Sequence, residues 1–189
     1  MSRKAMCAVP PMGWNSWNTF TEDISEDLIR ETVDAMKEQG LLEAGYEYVV
    51  IDDCWSLKER DRNGALVADP KKFPHGMKAV ADYIHEKGFK FGMYSCCGTR
   101  TCADYPGSLE HEYEDAKQFA AWGVDYLKYD NCFKPQHLDD RNLYRRMGLA
   151  LANCGRDIVF SACQWGTESV HEWIRSSGAH LFRSTGDIN

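Results

Sequence analysis

The chain has 189 residues, 43% hydrophobic and 12% aromatic, with a formal net charge of −7. That composition can bury a core as one globular domain, and the acidic balance argues against a nucleic-acid or anionic-membrane partner, both of which are bound mainly through Lys and Arg. An uncharged small molecule fits better.

In chain order, the run VPPMGWNSW opens the molecule and reads as a first strand. Ile24, Leu28, Ile29, Val33 and Met36 then follow the spacing of an amphipathic helix, with Ser25 as N-cap, Glu26 and Asp27 in the first turn and Gly40 as the stop. YEYVVID is the second strand. Pro74 opens a second helix carrying Met77, Val80, Ala81 and Ile84 and ending at Gly88. KFGMYS follows as a strand, then a helix over roughly 108–122, the strand YLKYD, and a helix over 139–154. IVFSAC, a short helix over 168–177 and HLFRSTG complete the series.

This alternation predicts an α/β protein of parallel βα units in one domain. A doubly wound sheet lacks its GxGxxG turn here, whereas polar residues end nearly every strand, as in a (β/α)8 TIM barrel with its site at that face. The expectation is that residues 1–189 are the N-terminal part of one catalytic barrel domain, supplying about the first six βα units and stopping after the sixth strand. No run approaches the ~20 apolar residues of a membrane span, and MSRKAMCAVPPMGW lacks the apolar core of a signal peptide. The expected location is the cytoplasm, with secretion left open if the N-terminus is processed.

Cysteines stand at 7, 54, 96, 97, 102, 132, 154 and 163, without the paired CxxC spacing of a zinc site. Most are expected to be buried thiols acting as small hydrophobes, with the neighbours Cys96 and Cys97 as an alternative redox pair. The carboxylates are more telling. Asp52 and Asp53 end the second strand, Asp130 the fourth, and Asp187 follows the sixth. One such Asp is most simply a helix N-cap. Four around one mouth, with Trp14, Trp17, Trp55, Lys128 and Arg183 nearby, suit a sugar, whose C–H faces pack on indole while its hydroxyls need fixed polar partners.

The runs PPMGWNSWNTF, IDDCW, KFGMYS, TCADYPGS, WGVDYLKYDNC and FRSTGDI, in this order over residues 9–188, closely resemble glycoside hydrolase family 27, the α-galactosidases and α-N-acetylgalactosaminidases. The resemblance implies a cofactor-free, metal-free retaining hydrolase acting on a substrate with terminal α-galactose. Asp130 matches the nucleophile and Asp187 the acid/base. Trp17, Asp52, Asp53, Tyr94, Lys128, Cys163, Gln164 and Arg183 fall on positions that hold the galactosyl unit. Cys102 and Cys132 match a disulfide, while Cys54 and Cys163 face Glu22 and Ala179 where the family has cysteines and are expected to be free. Gln164 replaces the family's usual Glu in a loop that reads the sugar's C2 substituent.

Physically, Lys128 on the same strand face is expected to keep Asp130 ionised, and Asp187 needs burial or a neighbouring carboxylate to hold a proton. The alternatives are an α-N-acetylgalactosaminidase, a β-L-arabinopyranosidase or an isomaltose-type hydrolase on the same scaffold, an inactive sugar-binding fragment, and a barrel aldolase or isomerase whose Asp cluster binds Mg²⁺. Homo-oligomerisation is left open.

Overall fold

The computed structural model describes residues 6–187; the basic pair Arg3 and Lys4 of the N-terminal reading and the final Ile188 and Asn189 lie outside them. Strands β1 (Met12–Asn15), β2 (Tyr46–Val50), β3 (Lys90–Cys96), β4 (Tyr126–Asp130), β5 (Val159–Cys163) and β6 (Leu181–Phe182) alternate with helices. These are α1 (Trp17–Phe20), α2 (Glu26–Glu38), α3 (Gly76–Glu86), α4 (Glu112–Trp122), α5 (Asp140–Ala152) and α6 (Val170–Trp173), the last continued by a 3₁₀ turn, Ile174–Ser177. Every pairing is parallel and the strand order is β1-β2-β3-β4-β5-β6. A doubly wound sheet reverses its order at a switch point; this one never does. It curls as a partial (β/α)8 barrel. No helix among the described residues is long and apolar enough to cross a membrane.

Local chemistry explains the elements. Ser25 Oγ accepts the Leu28 N–H at 3.2 Å and caps α2, whose Ile29, Val33 and Met36 are buried. Asp139 caps α5 by accepting from the Arg141 N–H at 2.7 Å. The predicted start of α4 at 108 moves to Glu112, because the Ser108 and Leu109 amides bond instead to the carbonyls of Cys96 and Gly98. That stretch fastens the loop after β3 to the strand's end. The predicted helix over 168–177 splits into a single α-turn and a 3₁₀ turn.

Side-chain parity divides the sheet. Val49, Ile51, Phe91, Met93, Leu127, Tyr129, Phe160 and Ala162 are buried under the helices in the main core. On the opposite face Tyr48, Val50, Tyr126, Val159 and Leu181 form a smaller apolar group. The register sets Val50, Gly92, Tyr126 and Val159 side by side, then Tyr94, Lys128 and Ser161, then Cys96, Asp130 and Cys163. Towards the strands' C-terminal ends the inner face therefore turns from apolar to polar, as a barrel site requires.

Gly92 is fixed by this packing, since a Cβ there would lie 2.7 Å from Val50 Cγ2. Gly92→Ala is expected to lower stability by roughly 1–3 kcal/mol through overpacking. Urea titration checks this, and an unchanged midpoint would show that the inner layer is loose at that depth.

Candidate active site

Asp130 ends β4, buried at 7% exposure between neutral donors. Its Oδ1 accepts the Trp165 indole N–H at 2.7 Å and the Asn131 backbone N–H at 2.9 Å, while the Tyr94 hydroxyl donates to Oδ2 at 3.1 Å. Among the described residues no Lys or Arg nitrogen lies within ion-pair distance of it. Lys128, expected to face Asp130, instead donates to Asp52 Oδ2 at 2.8 Å. It acts on Asp130 through space only. Burial alone would lower the ammonium's pKa, but Asp52 first and then Asp130 outweigh this and hold it above its usual value.

Asp52 and Asp53 diverge from one corner. Asp52 Oδ2 also accepts from Asn15 Nδ2 at 2.7 Å, and its own N–H donates to Ser16 Oγ at 3.0 Å. Asp53 turns the other way, accepting from the Cys54 N–H at 2.8 Å and the Ala103 N–H at 3.2 Å. Burial raises the Asp53 pKa, with the Asp52 charge adding to it and the Thr101, Cys54 and Ala103 donors only partly offsetting it. The chain reverses immediately afterwards through Cys54, which holds the left-handed region at φ +70°.

The Tyr94 hydroxyl is kept protonated by burial and by the charges of Asp130 and Asp53, so it serves as a donor. Burial, followed by the Asp130 charge, pushes the Cys163 thiol up to about 11. Cys96 rises to about 12 by burial. Neither is a thiolate near neutral pH. Cys102 and Cys132 form a disulfide, with the Tyr94 hydroxyl 3.8 Å from the Cys132 sulfur, whereas Cys54 and Cys163 are free thiols. Cys102, Asp130 and Cys132 cluster closely enough for a metal ion, but the two sulfurs are bonded to each other and offer no thiolate.

Arg183 reaches back to Cys163 Sγ at 3.7 Å and pairs with Asp187 Oδ1 at 2.7 Å. The Asp187 side chain is 86% exposed, so the burial expected around it is not present among the described residues. Gln164 is fully buried, and its amide nitrogen donates to Asp140 Oδ2 at 2.5 Å and Thr167 Oγ1 at 2.8 Å, facing protein rather than the mouth. Trp17 is half-buried, and its backbone N–H donates to Asn15 Oδ1 at 2.9 Å. Trp55 is a correction: its indole N–H donates to the Tyr94 carbonyl at 3.0 Å and its ring meets Trp122 edge-on, in the core beneath the helices. Trp14 packs beside Phe20.

Sequence reasoning missed Asn15, Asn131 and the Trp165 indole as members of the cluster. The polar positions that close each strand run, NSW, DNC and CQW, were the only signal for them.

The family model described as alpha galactosidase A, Melibiase_2, matches residues 9–177. The chain belongs to that melibiase family. It is 52% identical over 181 residues to the alpha-galactosidase of Coffea arabica, which covers 95% of this chain and 47% of the relative. Identity to alpha-galactosidase A of Cellvibrio japonicus is 50% over 183 residues, covering 97% of this chain and 45% of that protein. The alfa-galactosidase of Saccharomyces cerevisiae, solved with raffinose, superposes with a TM-score of 0.91 at 46% identity, covering 95% of this chain and 40% of that one. The chain thus spans just under half the length of the curated relatives it matches. Within the melibiase family frame, β1 to β6 and the loops at their C-terminal ends form the part of the barrel that carries Asp52, Asp53, Asp130 and Arg183.

Because burial raises the Asp53 pKa, the folded state holds a proton on it to higher pH than the unfolded chain does, and stability falls as pH rises through that window. Asp53→Asn is therefore expected to raise the melting temperature of this chain at pH 7, by about 2–4 °C per kcal/mol of relieved burial. The gain should shrink as pH falls through the carboxylate range, where Asp53 becomes protonated in both states. Thermal melts at pH 7 and pH 3.5 check this, and a variant that is less stable at pH 7 would show that the three donors outweigh burial.

Proposed function

We propose that this protein is a retaining α-galactosidase acting by double displacement. Asp130 attacks the anomeric carbon of a terminal α-galactosyl unit. Asp187 protonates the departing glycosidic oxygen, then takes a proton from the water that attacks the glycosyl ester on Asp130 and releases galactose. The bound sugar supplies the burial that Asp187 lacks in its absence. Trp17 offers an apolar face, Asp52 and Asp53 accept hydroxyl protons, Lys128 and Arg183 donate, and Tyr94 orients the nucleophile.

The observation that carries this reading is the environment of Asp130. A nucleophile must be ionised yet free of a cation that would quench its lone pairs, and here three neutral donors hold the carboxylate while the nearest ammonium is claimed by Asp52. The same pairing weighs against a Mg²⁺-dependent aldolase or isomerase, since a metal at Asp52 would have to displace Lys128. The raffinose on the Saccharomyces cerevisiae relative is in keeping with a galactoside as substrate.

The test is hydrolysis of p-nitrophenyl α-galactoside, with ¹H NMR of the first-formed sugar. The expected product is the α-anomer, and Asp130→Asn is expected to lower kcat by at least ~10³-fold. First-formed β-galactose would overturn the retaining mechanism. p-Nitrophenyl β-L-arabinopyranoside, which lacks the C6 group, is expected to turn over more slowly; faster turnover would move the assignment to an arabinopyranosidase.

A further inference from the structure

Behind the nucleophile lies a second carboxylate that the reaction itself does not use. Asp140, the first residue of α5, is fully buried and 10 residues beyond Asp130 in the chain. Its Oδ1 takes the Lys134 ammonium, and its Oδ2 accepts from Asn131 Nδ2 at 3.0 Å and Gln164 Nε2 at 2.5 Å. Lys134 is held from outside by Glu168 at 2.5 Å.

The two amides that Asp140 grips belong to the segments that grip Asp130. Asn131 carries the backbone N–H on Asp130 Oδ1, and Gln164 immediately precedes Trp165, whose indole N–H meets the same oxygen. The loop at 164–166 has little room to relax. Trp165 sits at φ +71°, and Gly166 lies so close to the strand leaving β6 that a Cβ would fall 2.0 Å from the Ser184 carbonyl. A left-handed Trp persists only where its surroundings over-determine it, and Gln164 is the side chain that ties this turn to α5.

We infer that Asp140 is a positioning residue for the nucleophile, acting through Asn131 and Gln164 to hold the two N–H donors of Asp130 Oδ1 in register. The inference rests on the reading of Asp130 as nucleophile. It also explains why a neutral amide stands at position 164. A carboxylate there would face Asp140 across a hydrogen-bond distance, whereas an amide donates to it.

The polarity of the pair can be reversed to test this. Asp140→Asn sets donor against donor, and Gln164→Glu sets carboxylate against carboxylate. In the double variant the amide introduced at 140 donates to the carboxylate introduced at 164, and the Asn131 amide turns over so that its oxygen accepts from position 140 and its nitrogen faces the Cys97 sulfur. Each single variant is expected to lower kcat roughly 10- to 100-fold, counted per folded molecule, with KM within about threefold, as for a misplaced reacting group. The double variant is expected to recover kcat to within about fivefold of the parent, the signature of direct coupling.

A second readout does not depend on turnover. In ¹H–¹⁵N spectra the Trp165 indole N–H signal, assigned with Trp165→Phe, should shift in each single variant and return in the double. Single variants with parental kcat, beside a parent that hydrolyses galactoside, would overturn the positioning role and leave the proposed function standing. A double variant no better than either single in both readouts would reduce Asp140 to a structural anchor. If the parent itself proves inactive, the function reading fails, while the indole signal still decides the positioning claim: shift and recovery support it, and an unmoved signal refutes it.

Discussion

The ion pair between Lys128 and Asp52 decides how charge is distributed over the inner face of the sheet. Asp52 and Asp53 beyond β2 and Asp130 at the end of β4 are all largely desolvated, and Asp52 and Asp130 both act on the Lys128 ammonium; carboxylates buried near one another resist common ionisation. The Lys128 ammonium is placed on Asp52 at 2.8 Å. Asp130 and Asp53 are left to neutral donors, and at Asp53 burial outweighs them. The cation thus offsets negative charge at the mouth without occupying the lone pairs of Asp130, the carboxylate proposed to react. Such a pair is poor evidence for stability; its consequence is functional.

This arrangement follows from the layering of the strands. The inner face is apolar at Val50, Tyr126 and Val159 and polar one and two layers higher, at Lys128 and Asp130. The strands need not bend to present their carboxylates, because the period of two does it. The connections then leave the strands sharply, and Cys54, Phe133 and Trp165 all adopt positive φ shortly after a strand end. These turns are costly for residues with side chains. Each is tied down nearby: Asp53 by the Ala103 amide, Phe133 by Thr99 on its carbonyl, and Gln164 by Asp140.

Much of this was legible in the sequence, for local reasons. Ser25 with Glu26 and Asp27 marks a helix start, and YLKYD with its polar end marks a strand aimed at a mouth, because capping and alternation depend on residues close in the chain. The six parallel units followed from the same signals. What stayed hidden depends on distant partners. Lys128 and Asp130 share a face two residues apart, yet the ammonium turns to Asp52, 76 residues earlier in the chain, across β3. Trp55 looked like a sugar platform beside Asp53 but folds under the helices, because a left-handed Cys54 intervenes. Gln164 reads in the sequence as a contact for the sugar's C2 substituent, and its bond to Asp140, 24 residues earlier, is visible only once α5 places the two together.

The central claim is that Asp130, held by uncharged donors, is the atom-bearing nucleophile of the mouth. The most direct measurement is to react the protein with an activated α-galactosyl fluoride carrying an added ring fluorine, which slows the second displacement, and to locate the label by peptide mass spectrometry. The account requires a glycosyl ester on Asp130 within the segment YLKYDNC, protected by excess galactose. A label on Asp52, Asp53 or Asp187, or turnover without any covalent adduct, would contradict it.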